Sequence, residues 1–343
     1  MKILLFSNGF YPALGGIESI SETLADDFVR EGHDVCLITR TKGNGVKRFS
    51  YPIYRLPSIV VVIKMIFWAD VVFENNPCLR MSWPLYFLKK AHVTALQTWI
   101  GHPDKSKTII ERLKIKLVKR SSRVIACSDA IRKNIIPYAT TVGNPYDDVV
   151  FKRIHSISKQ KDFVFLGRLV SDKGADLAIK AFEILSSEYL DKSLTLTVIG
   201  EGDEEVKLRG LAAQSRFSKN IFFKGSLKGK QLCETLNEHR YLLIPSIWKE
   251  PFGIVALEGM ACECIPIVSA GGGLPDAVGL AGLVFERGSV ADLVEKMRIV
   301  LNEENVRQVL LDSATSQLSN HKSLTVSRIY LSMFQQSLND LKL

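Results

Sequence analysis

The chain has 343 residues, 46% apolar and 24% charged, with no low-complexity tract, so it is neither disordered nor fibrous and is longer than one ordinary core requires. Six cysteines (Cys36, Cys78, Cys127, Cys233, Cys262, Cys264) form no C-x-x-C pair and have no histidine at ligand spacing, which argues against a zinc module and a disulfide scaffold. The net charge of +9 is uneven: residues 1–155 hold 23 Lys and Arg against 13 Asp and Glu, and the remainder 22 against 23.

The start, "MKILLFSNGFYP", lacks a long apolar h-region and a small-residue cleavage site, and reads as a first buried strand rather than a signal peptide. A helical pattern over 15–32 stops at Gly32, and "DVCLITR", "DVVFENN", "HVTALQT" and "RVIACS" follow as strand candidates. The apolar stretch from Ser58 to Phe73 is broken by Lys64 and Asp70 and falls short of a membrane span. In 105–123, Ile109, Leu113, Ile115, Leu117 and Val118 recur at roughly helical spacing among Lys and Arg. That segment is either a solvated helix face or a surface for anionic lipid headgroups or phosphate-bearing acceptors.

A polar segment, 153–162, is the expected linker, after which the rhythm restarts. "FVFLGRL", "LTLTVIGEG", "NIFFKGSL", "YLLIPS" and "CIPIVS" are five further strand candidates separated by helices. Two doubly wound parallel-sheet domains follow from this alternation. Cys262 and Cys264, flanked by apolar residues, are expected as small buried hydrophobes. Beyond Asp312 the chain reads as helical, with an apolar stripe at Leu324, Ile329, Leu331, Phe334 and Leu338 that must pack on something.

Doubly wound sheets bind ligands outside the carboxyl ends of their strands, so the loops after strands are where chemistry is sought. After the first strand, Gly15 and Gly16 precede a helix, a place where backbone N–H groups can approach an oxyanion; a simple tight turn is the plainer alternative. Neither a G-x-G-x-x-G nor a G-x-x-x-x-G-K-[ST] fingerprint occurs, which disfavours NAD enzymes and P-loop NTPases. After "FVFLG" come Arg168 and Lys173, a cationic pair able to neutralise a diphosphate. Three glycines, Gly271 to Gly273, point to a close backbone approach to a ligand. In "SIWKEPFGIVALEGMACECIPIV", Glu250 and Glu258 lie in an apolar run, where a carboxylate needs a partner. Either they pair internally or they face a ligand.

Taken in order, "GGIE", "FLGRLVSDKG", "VIGEGDE", "PSIWKEPFGIVALEGMACECIPIVSAGGGLPDAV" and "AGLVFERGS" resemble the retaining glycosyltransferases of family 4, of the GT-B fold, with the E-x7-E signature at Glu250 and Glu258. The resemblance implies two Rossmann-like domains facing a central cleft: 1–155 for the acceptor, joined by a C-terminal helix over 323–343, and 156–322 for the nucleotide sugar. It assigns Arg168, Lys173 and Glu250 to catalysis. To substrate binding it assigns Gly15, Gly16, Phe252, Gly253, Ile254 and Gly200, together with Glu258, expected at a helix start where it would accept hydrogen bonds from the ribose hydroxyls. Gln97 stands where many members of the family carry a histidine; it and the following His102 are further expected contacts to a sugar. Gly259 replaces a usual alanine and should loosen packing slightly.

The implied activity is hexosyl transfer with retention from a nucleoside diphosphate donor, a UDP-sugar with glucose favoured, to a saccharide or lipid-linked saccharide in surface polysaccharide synthesis. No cofactor, no metal and no nucleic-acid partner are expected. With neither a signal peptide nor a membrane span read in the sequence, the expected location is the cytoplasm, and the basic helical pattern of 105–123 offers peripheral contact to anionic membrane. A catalytically silent sugar-nucleotide-binding subunit and a GT-B UDP-sugar epimerase are the competing readings.

Overall fold

The computed structural model describes residues 1–13, 15–43 and 45–342, the side chains of Tyr86 and Lys342 excepted. The chain divides into two compact units, Met1–Pro145 with Lys322–Leu343, and Tyr146–His321.

The first unit runs β1 (Lys2–Ser7), α1 (Gly16–Arg30), β2 (Asp34–Thr39), β3 (Ile53–Arg55), α2 (Ile59–Trp68), β4 (Val71–Asn75), α3 (Leu79–Ser82), β5 (Ala91–Leu96), α4 (Ile109–Val118), β6 (Arg123–Ala126), α5 (Asp129–Ile135) and β7 (Thr140–Thr141). Every pairing in its sheet is parallel, in the order β3-β2-β1-β4-β5-β6-β7. The central strands β4 and β5 are buried along their whole length, as a sheet covered on both faces requires. The apolar stretch 58–73 becomes α2 and the start of β4, with Lys64 exposed and the Asp70 carboxylate accepting the Lys2 backbone N–H at 2.7 Å. No helix among the described residues is long and apolar enough to cross a membrane.

The second unit runs β8 (Lys161–Leu166), α6 (Ala175–Glu188), β9 (Leu196–Ile199), α7 (Glu205–Gln214), β10 (Ile221–Phe223), α8 (Gly229–Asn237), β11 (His239–Ile244), α9 (Ile254–Ala261), β12 (Ile265–Ser269), α10 (Leu274–Val278), β13 (Leu283–Phe285), α11 (Val290–Asn302) and α12 (Glu304–Asn320). Its sheet is again parallel, ordered β10-β9-β8-β11-β12-β13. Phe163, Phe165, Phe182, Leu185 and Met297 fill its core. Cys262 and Cys264 are buried there as small apolar groups, and burial pushes both thiols up, Cys264 to about 11.

The segment 153–162 is not a linker. It belongs to the second unit, because its cations have partners there: Arg153 donates to Asn237 Oδ1 at 3.0 Å and pairs with Glu263 at 2.9 Å, while Lys159 Nζ donates to the carbonyls of His239 and Cys262.

After α12 the chain returns to the first unit as α13 (Ser323–Lys342). Tyr330 meets Phe73 edge-on at a ring distance of 5.3 Å, Phe334 meets Phe28 edge-on at 5.4 Å, and Ser327 bonds the buried Asp27 at 2.8 Å. The buried apolar residues of α13 are Val326, Tyr330, Leu331, Met333 and Phe334, so Leu331 and Phe334 keep their expected places in the stripe. Ile329, expected in it, is 39% exposed, since Tyr330 takes the inward position beside it.

Candidate active site

Each sheet reverses its strand order once, between β1 and β4 in the first unit and between β8 and β11 in the second. Ligands of doubly wound sheets bind at such a reversal, outside the carboxyl ends of the strands.

In the second unit the loop after β8 carries Arg168 and Lys173, and the loop after β11 carries Ser246 to Gly253. The two are locked together by backbone. The Asp172 carbonyl accepts the N–H groups of Ile247 and Trp248 at 2.9 and 3.1 Å. Gly174, at φ +70°, lets the chain pass so close that an added Cβ would lie 2.0 Å from the Pro245 carbonyl oxygen. This clasp brings the Lys173 ammonium onto the Glu250 carboxylate as an ion pair, and Ser246 Oγ donates to the same oxygen at 2.8 Å. Both members of the pair are largely but not fully buried.

Glu250 is held from behind as well. Its carbonyl accepts the Gly273 N–H at 2.7 Å, and a Cβ on Gly272 (φ +65°) would lie 2.2 Å from that carbonyl oxygen. The three-glycine loop therefore makes its close approach to Glu250's own backbone, which accounts for Gly272 without a ligand. Gly200 has a similar reason: at φ +144°, a Cβ there would lie 1.8 Å from the Gly167 carbonyl oxygen, where the loops after β8 and β9 meet.

Gly253, at φ +117°, caps α9, and the backbone amides of Phe252, Gly253 and Ile254 donate no hydrogen bond among the described residues. Free amides at a helix start favour an anion or a polar oxygen. The Phe252 ring faces the other way, buried against His321 at 5.3 Å. Glu258 is the fifth residue of α9, not its first. Its carboxyl group makes no hydrogen bond or ion pair among the described residues, and burial, reinforced by the Asp147 carboxylate, pushes it up to about 7. Gly259 does not loosen the packing: a Cβ would meet Leu242 at 2.4 Å, so the missing methyl lets α9 sit closely on β11. Arg168 is exposed and has no partner among the described residues.

In the first unit Gly15 and Gly16 open α1 beside the reversal. A Cβ on Gly15 would meet the flexible Glu18 carboxylate, whereas one on Gly16 meets nothing within 4 Å, so nothing in the fold requires glycine at 16. Gln97 is buried in an interior chain of polar groups: its amide nitrogen donates to Asn75 at 3.0 Å and to Tyr330 at 3.3 Å, and Asn75 donates to Ser21 at 2.6 Å. His102 lies in an exposed loop, its Nδ1 accepting the Asp104 N–H at 3.1 Å.

Residues 148–317 match the model of the family described as glycosyl transferases group 1. The second unit is a group 1 glycosyltransferase domain. The whole chain is 23% identical to the GPI3 subunit of phosphatidylinositol N-acetylglucosaminyltransferase from Saccharomyces cerevisiae, over 96% of this chain and 79% of that protein. Among solved structures it is similar to Anabaena HepE in complex with UDP-glucose (TM-score 0.80, 17% identity, 99% and 100% of the two chains covered). It is also similar to sucrose-phosphate synthase from Thermosynechococcus elongatus (TM-score 0.80, 16% identity, 99% of each chain). The protein is a glycosyltransferase with the GT-B fold.

Two groups near the glycosyltransferase's glutamates escape sequence reading. Ser246 shares the Glu250 oxygen with Lys173, and its only signal is its place four residues before that glutamate. Asp147 acts on Glu258 from 111 positions away in the chain. No local pattern announces it.

Proposed function

We propose that this glycosyltransferase transfers a hexosyl group from a nucleoside diphosphate, a UDP-sugar with glucose favoured, to a hydroxyl of a saccharide or lipid-linked saccharide, with retention at the anomeric carbon. The second unit binds the nucleotide sugar and the first the acceptor. The observation that carries the reading is the convergence, at one strand reversal, of Lys173, Glu250, Ser246 and the free amides opening α9. Such a set offers positive charge for a diphosphate and polar groups for sugar hydroxyls. The similarity to a protein solved with UDP-glucose supports the donor class, and the similarity to a phosphatidylinositol glycosyltransferase subunit supports a glycolipid acceptor.

In this mechanism Lys173 and Arg168 neutralise the diphosphate and stabilise the charge it gains as the bond from the anomeric carbon to its oxygen breaks. Glu250 and the amides of Phe252, Gly253 and Ile254 hold the donor sugar's hydroxyls, Glu258 the ribose. The acceptor oxygen attacks on the face from which the diphosphate leaves, and the departing phosphate oxygen takes its proton. The protein contributes positioning and charge rather than a covalent intermediate. Its working place is the cytoplasm, at the inner membrane face.

A thermal-shift screen across nucleoside diphosphates tests the donor, because a ligand bound only by the native state raises its melting temperature. UDP should give the largest shift, followed by acceptor-dependent release of UDP from UDP-glucose. A shift with no nucleoside diphosphate would remove the reading, and a larger shift with GDP would replace the donor.

A further inference from the structure

The helix α4 is built inside out for a surface helix of a globular domain. Ile109, Ile110 and Leu113 are 86%, 74% and 51% exposed, and among its residues only Val118 is buried. At about 100° per residue, Ile109, Leu113, Leu117 and Ile110 span an arc of about 100° on the side opposite Val118. Arg112 and Lys116 border that arc on one edge and Lys114 on the other.

The helix is nonetheless firmly made. Thr108 and Glu111 form a reciprocal capping box, in which Thr108 N–H donates to Glu111 at 2.8 Å and Thr108 Oγ1 accepts the Glu111 N–H at 3.3 Å. That use occupies the single acid of 105–123, where eight Lys and Arg stand.

Neighbouring elements extend the same surface. The crossovers from β3 to β4, β4 to β5 and β5 to β6 all advance in one direction along the sheet, while that from β1 to β2 runs the other way. Right-handed crossovers therefore place α2, the α3 segment and α4 in one layer, opposite α1. From that layer Phe67 and Phe87 stand 67% and 82% exposed, each with an exposed lysine close by in sequence, Lys64 before the first and Lys89 after the second. Single exposed apolar residues are ordinary, but aromatic and aliphatic groups gathered in one layer among cations mark an interaction surface.

We infer that this layer, centred on α4, docks on an anionic lipid bilayer, with Ile109, Ile110 and Leu113 entering the interface and the bordering Lys and Arg meeting headgroup phosphates. A second copy of the chain would bring the same cations face to face, which disfavours it as the occupant. The inference stands on the surface alone and is independent of the donor assignment.

Sedimentation of the full chain with phosphatidylcholine vesicles, with and without phosphatidylglycerol, tests it. Binding is expected only with phosphatidylglycerol and should weaken as salt screens the charges. Arg112→Gln with Lys116→Gln should weaken it about thirtyfold, at about fivefold per cation. Ile110→Ser with Leu113→Ser should weaken it at least about tenfold. Both pairs should leave the melting temperature and its shift with UDP unchanged, since these side chains are exposed. Absence of binding, equal binding to the two vesicle types, unaltered binding by both variants, or dimerisation without vesicles that the same variants abolish would each overturn the inference.

Discussion

The ammonium of Lys173 is paired with the carboxylate of Glu250, a residue 77 positions later in the chain, so of the two alternatives the sequence leaves for this acid, an internal partner or a ligand, the fold supplies the first. The pair sets its own test. Without a ligand, each ion compensates the other in a setting where a lone charge is costly. Lys173→Ala should cost about 1–3 kcal/mol of stability and lower turnover by about 10²–10³. In a double-mutant cycle with Glu250→Gln, the stability losses should be strongly non-additive. Additive losses with near-normal transfer would dismiss both the pair and the clamp.

Arg168 supplies the contrasting case. It is exposed and without a partner among the described residues, so the fold gains little from its charge. Arg168→Ala should alter stability by no more than about 0.5 kcal/mol while reducing turnover by about 10²–10³. Parallel denaturation and UDP-release measurements separate the two effects; unchanged turnover would free Arg168 of any role at the diphosphate.

The strand-helix alternation was legible because buried parallel strands are short β-branched or aromatic runs, as "KILLFS" and "LTVI" show. Strands β3, β7 and β13 were not, having only two or three residues each and sides too exposed to leave a pattern. The loops carrying Lys173 and Glu250 could be named from spacing, yet their contact depends on Gly174 passing Pro245 and on the Asp172 carbonyl, features set by tertiary approach. Gln97 shows the opposite limit. The resemblance makes it an expected sugar contact because many members of the family carry a histidine there, but in this fold Asn75 and Tyr330, the latter 233 residues away, hold its amide in the interior.

Glycines in two loops should respond differently to a methyl group. Gly272→Ala forces φ +65° on a residue with a Cβ and drives that Cβ to 2.2 Å from the Glu250 carbonyl oxygen. It should destabilise the second unit by about 2 kcal/mol or more and displace Glu250. Gly16→Ala meets no atom within 4 Å and should leave stability intact, so any loss of nucleotide affinity reports a phosphate lying against that backbone. Equal melting temperatures for the two variants would contradict the packing account.

Glu258 gives the pH dependence. Its carboxyl titrates at about 7 in the folded chain against an ordinary value of 4.5, mainly through burial and partly through Asp147. The folded state thus holds a proton that the unfolded state has released between those values, and stability falls as pH rises through that window, by ~3 kcal/mol once the group is ionised. Glu258→Gln should remove this fall, so the difference in stability between the two proteins should grow with pH and level off above about 7. If the ribose hydroxyls donate to the carboxylate, UDP binding to the native sequence should tighten by up to about tenfold per unit as pH rises towards 7 and then level off. Calorimetric titrations with UDP at several pH values decide it: a profile shared by the wild-type protein and Glu258→Gln would separate this carboxyl from the nucleotide.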